Sequence, residues 1–186
     1  MKHIILGITG SIAAYKAADI ANRLTKDGYS IHTIMTKAGT EFITPLTLQT
    51  LTKNKVYTDI FEPYVPTEVE HISLAQKADL FLVAPASADF IAKAAAGIAD
   101  DMLTTVLLAV RKIPILIAPA MNTAMYKNPI TQRNIRTLTE YGFEWIEPRE
   151  ARLACGDLGK GALADIDMIV REVEKRLEAD NGTSDA

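Results

Sequence analysis

Apolar and polar positions change period several times along the chain, and those changes outline its elements. Mostly apolar runs rich in Ile, Leu and Val occupy His3–Ile8, Ser30–Thr36, Asp79–Ala84, Ile113–Ala118 and Phe143–Ile146. Short runs without strict polar alternation predict strands covered on both faces. Between them, helical spacing runs through Ile12–Lys26, Ala88–Ala96, Met102–Val110 and Thr131–Tyr141, and a further helix is predicted over Asp165–Leu177. Strands alternating with helices predict right-handed crossovers and an α/β fold, a three-layer, Rossmann-like doubly wound parallel sheet. The stretch from Thr44 to Glu70 is less regular. Pro45 starts a short helix through Thr50, and Pro63 and Pro66 mark a loop leading to a short amphipathic helix, His71–Lys77. Residues 1–178 read as one domain, with 179–186 as a polar, disordered tail.

Composition narrows the partners. Of 186 residues, 48% are hydrophobic and 23% charged, and the net charge of −3 gives no reason to expect nucleic acid. The single cysteine excludes an intrachain disulfide and a multi-cysteine zinc site, and no metal is expected. The strongest apolar stretch, Leu103 to Met121, is broken by Arg111, Lys112, Pro114 and Pro119, so no membrane span is expected. The opening Met-Lys-His leads directly into a strand-like run and lacks the pattern of a signal peptide, which predicts a cytoplasmic protein.

Candidate chemistry sits at the ends of the predicted strands, where open α/β sheets bind ligands. In Gly7-Ile-Thr-Gly-Ser-Ile-Ala13, Gly7 and Gly10 flank Thr9 and Ser11 is a good N-cap before Ile12. Glycines let a ligand approach the backbone, and free amides at a helix start favour a phosphate. Ala13 and Ala14 stand where a dinucleotide fingerprint would have its third glycine, so a mononucleotide fits better. The alternative is a tight turn with an ordinary cap. Thr36 and Lys37, at the end of the second strand, either reach the same ligand or form a solvated strand end. Three more segments share this character: Pro85-Ala-Ser-Ala-Asp-Phe90, Pro119-Ala-Met-Asn-Thr-Ala-Met125 and Ala154-Cys-Gly-Asp-Leu-Gly-Lys-Gly161. Glycines at 156, 159 and 161 around Cys155 read as a mobile lid.

Taken together with Glu70-His-Ile-Ser-Leu74, these segments resemble the motif set of the homo-oligomeric flavin-containing cysteine decarboxylases, over roughly residues 3 to 175. The resemblance implies FMN as cofactor, bound by Gly7, Thr9, Gly10, Ser11, Ile12, Thr36, Lys37, Ser87, Ala88, Asp89, Phe90 and Ala120. It makes His71 the active-site base and Cys155 a proton donor. It assigns Asn122, Met125, Ala154 and Gly156 to the substrate. The implied reaction is decarboxylation of a small molecule, 4'-phosphopantothenoylcysteine, to 4'-phosphopantetheine in coenzyme A biosynthesis. It passes through a thioaldehyde and an enethiolate, with electrons lent to the flavin and returned. A peptidyl-cysteine oxidative decarboxylase, which needs no such cysteine, and a non-catalytic flavin-binding regulator remain alternatives. The resemblance also implies a homotrimer, or an assembly of trimers such as a dodecamer, with ligands at subunit contacts. One departure stands out. Much of the family reads Pro-Ala-Ser-Ala-Asn-Thr where this chain has Asp89-Phe90. An ionised Asp89 facing the site would repel a substrate carboxylate unless protonated or turned away.

Overall fold

The computed structural model describes residues 1–61, 69–152 and 158–181. Six parallel strands form the central sheet in the order β3-β2-β1-β4-β5-β6. In chain order they are β1 (His3–Ile8), β2 (Ser30–Met35), β3 (Val56–Tyr57), β4 (Leu80–Ala86), β5 (Ile115–Pro119) and β6 (Glu144–Trp145). A separate antiparallel hairpin joins β7 (Arg149–Arg152) to β8 (Leu158–Ala162). The helices are α1 (Lys16–Lys26), α2 (Lys37–Thr40), α3 (Pro45–Thr52), α4 (Glu70–Lys77), α5 (Ala88–Ala96), α6 (Met102–Ala109), α7 (Thr123–Lys127), α8 (Pro129–Glu140) and α9 (Ile166–Asn181). A 3-10 turn, Ile12–Tyr15, leads into α1.

The strands are apolar throughout because both faces are covered. Successive side chains point to opposite faces of a strand. Ile4, Leu6 and Ile8 of β1 therefore join Leu80, Leu82 and Ala84 under α1 and α9, with Leu48 of α3. Ile5 joins Phe81 and Val83 under α4, α5, α6 and α8. Each fully buried Ile or Leu contributes about 1.5–3 kcal/mol of transfer free energy. β4 is buried along all seven residues and sits at the middle of the sheet.

Strand order fixes where a ligand can sit. From β1 the chain steps to β2 and β3 on one side, then crosses back to β4 on the other side of β1. The carboxyl ends of β1 and β4 therefore flank the reversal of winding, the place where doubly wound sheets open a crevice. Thr9 joins the two ends: its Oγ1 donates to the Pro85 carbonyl at 2.8 Å and accepts from the Ser87 amide at 2.8 Å.

Several elements differ from the sequence reading. β3, α2, α7 and the β7–β8 hairpin are additional. The segment around the cysteine, expected as a mobile glycine lid, is bounded by strands paired from Arg149↔Ala162 to Arg152↔Leu158, with a register shift between Arg149 and Glu150. The last helix runs to Asn181 rather than Leu177, so 179–181 are helical where the start of a disordered tail was expected. Among the described residues no helix is long and apolar enough to cross a membrane.

Candidate active site

A cavity of about 560 Å³ opens at the carboxyl ends of β1, β4 and β5. One end is built by the turn after β1. Gly10, Ser11 and Ile12 line it, and among the described residues their backbone N–H groups donate to no protein acceptor. A side chain at Gly10 would place its Cβ 2.5 Å from the Ala38 Cβ, so glycine lets this turn lie against the start of α2. The Ser11 hydroxyl accepts from the Ala13 amide at 3.3 Å, which fixes the turn and leaves its outer amides facing the cavity mouth. The arrangement suits a phosphate.

The next wall comes from β4 and α5. Ser87 is the N-cap of α5 and accepts from the Phe90 amide at 3.2 Å. The amide of Ala88, in the first turn of that helix, has no protein acceptor among the described residues. Beyond it, Ala120 and Met121 form an apolar wall, with Met125, Tyr15 and Phe42 at the rim. Ala120 is held by donating its N–H to the Ala86 carbonyl at 3.0 Å. Asn122 lines the cavity and caps α7, its Oδ1 accepting from the Ala124 amide at 2.7 Å.

The hairpin closes the far side through Arg149, Ala151, Gly161, Ala162 and Leu163. Its glycines serve close packing. A Cβ on Gly159 would stand 2.6 Å from the Thr123 hydroxyl, and one on Gly161 only 2.3 Å from the Met121 carbonyl oxygen. Gly161 also has φ +153°, a conformation that favours glycine, and its carbonyl accepts from the Met121 amide at 2.9 Å. The hairpin is thereby stitched to the segment that carries Asn122.

Other expected site residues stand elsewhere. Gly7 is in β1, where a Cβ would meet Leu103 Cδ1 at 2.6 Å, so it admits α6 to the sheet. Thr9 is the buried link between strand ends and does not line the cavity. Thr36 caps α2 by accepting from the Gly39 amide at 3.1 Å, and Lys37 is exposed. Phe90 is fully buried with Ile5, Val83 and Leu103, so it is a core residue and no part of the cavity wall. The Asp89 side chain is 75% exposed and lies 3.5 Å from Lys93, turned away from the cavity. His71, in the first turn of α4, does not line this cavity either. Ala154, Cys155 and Gly156 lie outside the described residues. Sequence reasoning missed Tyr15, Lys16, Phe42 and Arg149. Tyr15 and Lys16 follow the phosphate turn by a single helical turn, a spacing that offered a signal; Phe42 and Arg149 carried none.

The residues present fit a flat mononucleotide: unspent amides at one end, an apolar slot beside them, and a volume in the range of small-molecule sites. Among the described residues there is no group of His, Cys, Asp and Glu that could hold a metal ion.

Comparison with known proteins defines the class. The chain belongs to the flavoprotein family, whose model matches residues 1–178. More particularly, it is 52% identical over 177 residues to a probable phosphopantothenoylcysteine decarboxylase of Streptococcus mutans, covering 95% of this chain and 99% of that protein. It is 47% identical over 176 residues to the coenzyme A biosynthesis bifunctional protein CoaBC of Bacillus subtilis, but spans only 43% of that protein's length. Among solved structures it superposes on a cysteine-to-serine variant of PPC decarboxylase complexed with pantothenoylaminoethenethiol. That match has a TM-score of 0.88 and 34% identity, over 95% of this chain and 98% of the other. The FMN-binding protein AtHal3 matches with a TM-score of 0.85 and 34% identity, over 96% and 97% of the two chains.

Proposed function

We propose that this chain is an FMN-dependent decarboxylase that converts 4'-phosphopantothenoylcysteine to 4'-phosphopantetheine. The observation that carries the reading is the stitching of the β7–β8 hairpin onto the segment after β5. The Met121–Gly161 hydrogen bond and the close glycine contacts tie the strands flanking Cys155 to the backbone beside Asn122. This tie between the flanking strands and the Asn122 segment supports assigning Asn122 and Cys155 to one reaction. The similarity of the chain to a probable phosphopantothenoylcysteine decarboxylase over nearly the full length of both supports the same substrate.

The Gly10–Ile12 amides, Ser87, Ala88 and Ala120 would hold FMN, which when bound would supply a two-electron acceptor and donor. Asn122 carries both a donor and an acceptor on its amide and orients the substrate's carboxylate against the cavity wall. Met121, Met125 and Phe42 exclude water from the reacting end. Cys155 gives a proton to the carbon next to the one that becomes the thiol carbon, and His71 takes the proton released when the cysteine side chain is oxidised. Because His71 does not line the cavity of its own chain, we assign the base to a neighbouring copy. Exposed Ile12, Tyr15, Phe42 and Met125 around the mouth support a subunit contact there, in a trimer or an assembly of trimers. The setting is the cytoplasm, where coenzyme A intermediates are made.

The test is mass analysis of the product formed by the flavin-loaded protein from 4'-phosphopantothenoylcysteine. Phosphopantetheine is expected from the native chain. Cys155→Ser should release carbon dioxide but stall before the saturated thiol. Native amounts of phosphopantetheine from that variant would remove Cys155 from the reaction. A protein that stays colourless in excess FMN would remove the reading altogether.

A further inference from the structure

The β7–β8 hairpin has little of its own to hold it in place. It stands outside the six-stranded sheet, and two strands alone are only marginally stable in water. Leu158 of β8 is 82% exposed and two of the strand's five residues are glycine, so β8 buries almost no apolar side chain. Its place against the cavity therefore rests on polar ties. One is the backbone bond from the Met121 amide to the Gly161 carbonyl. Another starts from Lys160, the one long polar side chain of β8. Its ammonium donates to Glu147 Oε2 and lies 5.6 Å from the centroid of the Tyr126 ring. The Tyr126 hydroxyl donates to the same Glu147 oxygen at 3.3 Å.

These three side chains come from three segments: α7, the link between β6 and β7, and β8. None of them lines the cavity. Tyr126 is buried and fixed at both ends of its backbone: its amide donates to the Asn122 carbonyl at 2.9 Å, and its own carbonyl accepts from Gln132 Nε2 at 2.6 Å. Glu150 stands opposite Lys160 in the hairpin ladder, yet among the described residues the ammonium is paired with Glu147. A cross-strand pair would stiffen the hairpin alone. This one carries the ammonium to Glu147 and the Tyr126 ring, both outside the hairpin. We propose that Lys160 is a positioning residue: with Glu147 and Tyr126 it latches the hairpin to the segment that begins at Asn122, and so holds the cavity wall of Ala151, Gly161 and Ala162 in its binding geometry. For its kinetic consequence the inference rests on the proposed function. Because Lys160 does not line the cavity, loosening it lowers the population of the formed site and weakens apparent substrate binding, without altering the reaction once substrate is bound.

The experiment compares the flavin-loaded native protein with Lys160→Met, Lys160→Arg and Glu150→Gln. Hydrogen exchange at the Met121 amide, read by mass spectrometry, reports hairpin opening, because that N–H is freed only when Gly161 moves away. Steady-state kinetics on 4'-phosphopantothenoylcysteine are measured alongside. Lys160→Met keeps the apolar stem but neither the charge nor the donors. It should speed exchange about three- to tenfold, the combined effect of a part-exposed ion pair and a cation–π contact. KM should rise by up to that factor while kcat stays within about twofold. Lys160→Arg should restore most of the native protection, and Glu150→Gln should leave it within about twofold. Added salt should speed exchange more in the native protein than in Lys160→Met, because it screens the pair. Unchanged exchange in Lys160→Met overturns the proposal. So does faster exchange with an unchanged KM, or a loss confined to kcat. An equal effect of Glu150→Gln overturns it too, since the charge of the hairpin and not this pairing would then be the cause. If the native protein binds flavin but does not turn the substrate over, the proposed function fails, while the exchange comparison still decides the latch.

Discussion

The same parallel strands end in two unlike regions. At the amino ends of β1, β2 and β4, polar groups are spent on one another. The His3 amide donates to Asp79 Oδ2 at 2.7 Å, His3 Nδ1 lies within hydrogen-bond distance of His32 Nε2 at 3.1 Å, and Lys2 pairs with Asp79 at 3.2 Å. At the carboxyl ends the bonds hold the walls in place, chiefly through Thr9 and the Met121–Gly161 bond, and among the described residues the Gly10–Ile12 amides have no protein acceptor. The difference separates stability from function. A region whose donors and acceptors are paired internally has nothing to offer a ligand, whereas unspent donors beside an apolar slot have no structural purpose of their own.

The largest expected effect comes from breaking the carboxyl-end geometry while leaving its chemistry intact. Gly161→Ala introduces a Cβ where the Met121 carbonyl oxygen stands at 2.3 Å, on a backbone at φ +153°. The hairpin must shift off the Asn122 segment. Displacement of reacting groups by about 1 Å can cost roughly 100-fold in rate. Turnover should fall by about that factor while flavin binding and far-UV circular dichroism persist, because the phosphate turn and the sheet are untouched. Retained turnover would mean that the hairpin does not position the chemistry.

Next in size is the link between the two strand ends. Thr9→Val keeps the shape of the side chain but removes one donor and one acceptor from a buried position, leaving the Ser87 amide unpaired and the Pro85 carbonyl with only the Thr9 backbone N–H at 3.3 Å. A loss of about 2–3 kcal/mol in urea unfolding is expected, with weaker flavin retention because Ser87 caps α5. If stability falls and flavin affinity does not, Thr9 belongs wholly to the structural side of the comparison.

The amino end should be visible instead in the pH dependence of stability. Burial, then Lys77 and His3, push His32 down to about 4, and His3 is lowered too, first by burial. Asp79 acts on His3 in the opposite direction. Because the folded state favours neutral imidazole, the unfolded chain takes up the proton first as pH falls through about 6.5. Stability is therefore full above that value and declines toward pH 4, by about 1–3 kcal/mol for His32. His32→Gln should flatten much of that limb, leaving the smaller part due to His3. An unchanged limb would place the acid sensitivity elsewhere.

The strands and the phosphate turn were legible because burial on both faces leaves long apolar runs, and β1 and α5 have the bounds their patterns predict. The hairpin was not. Arg-Glu-Ala-Arg in β7 and Leu-Gly-Lys-Gly-Ala in β8 carry no alternation, and glycine signals freedom and close packing equally well. Only the positions of Thr123 and the Met121 carbonyl show that Gly159 and Gly161 are there for contact. Arg149 was invisible for the same reason, since its place on the cavity wall depends on a pairing that sequence does not announce. His71 was legible as a helix start by pattern, but its absence from the cavity of its own chain was not.

The smallest expected effect concerns Asp89, where resemblance and geometry part. The motif comparison expects a charge beside the site that would oppose a substrate carboxylate. Ser87 caps α5, however, and the turn of the helix carries residue 89 outward and residue 90 inward. Asp89 accordingly meets Lys93, and Phe90 joins Ile5 and Val83. An exposed pair of this kind is worth about 0.3–0.5 kcal/mol at most and is screened by salt. Asp89→Asn, which restores the family's residue, should therefore change kcat/KM and flavin affinity by less than about twofold, the factor corresponding to that energy. A rise in substrate affinity well beyond twofold would mean that the Asp89 charge reaches the bound substrate, and the site would then extend past the wall drawn by Ser87 and Ala88.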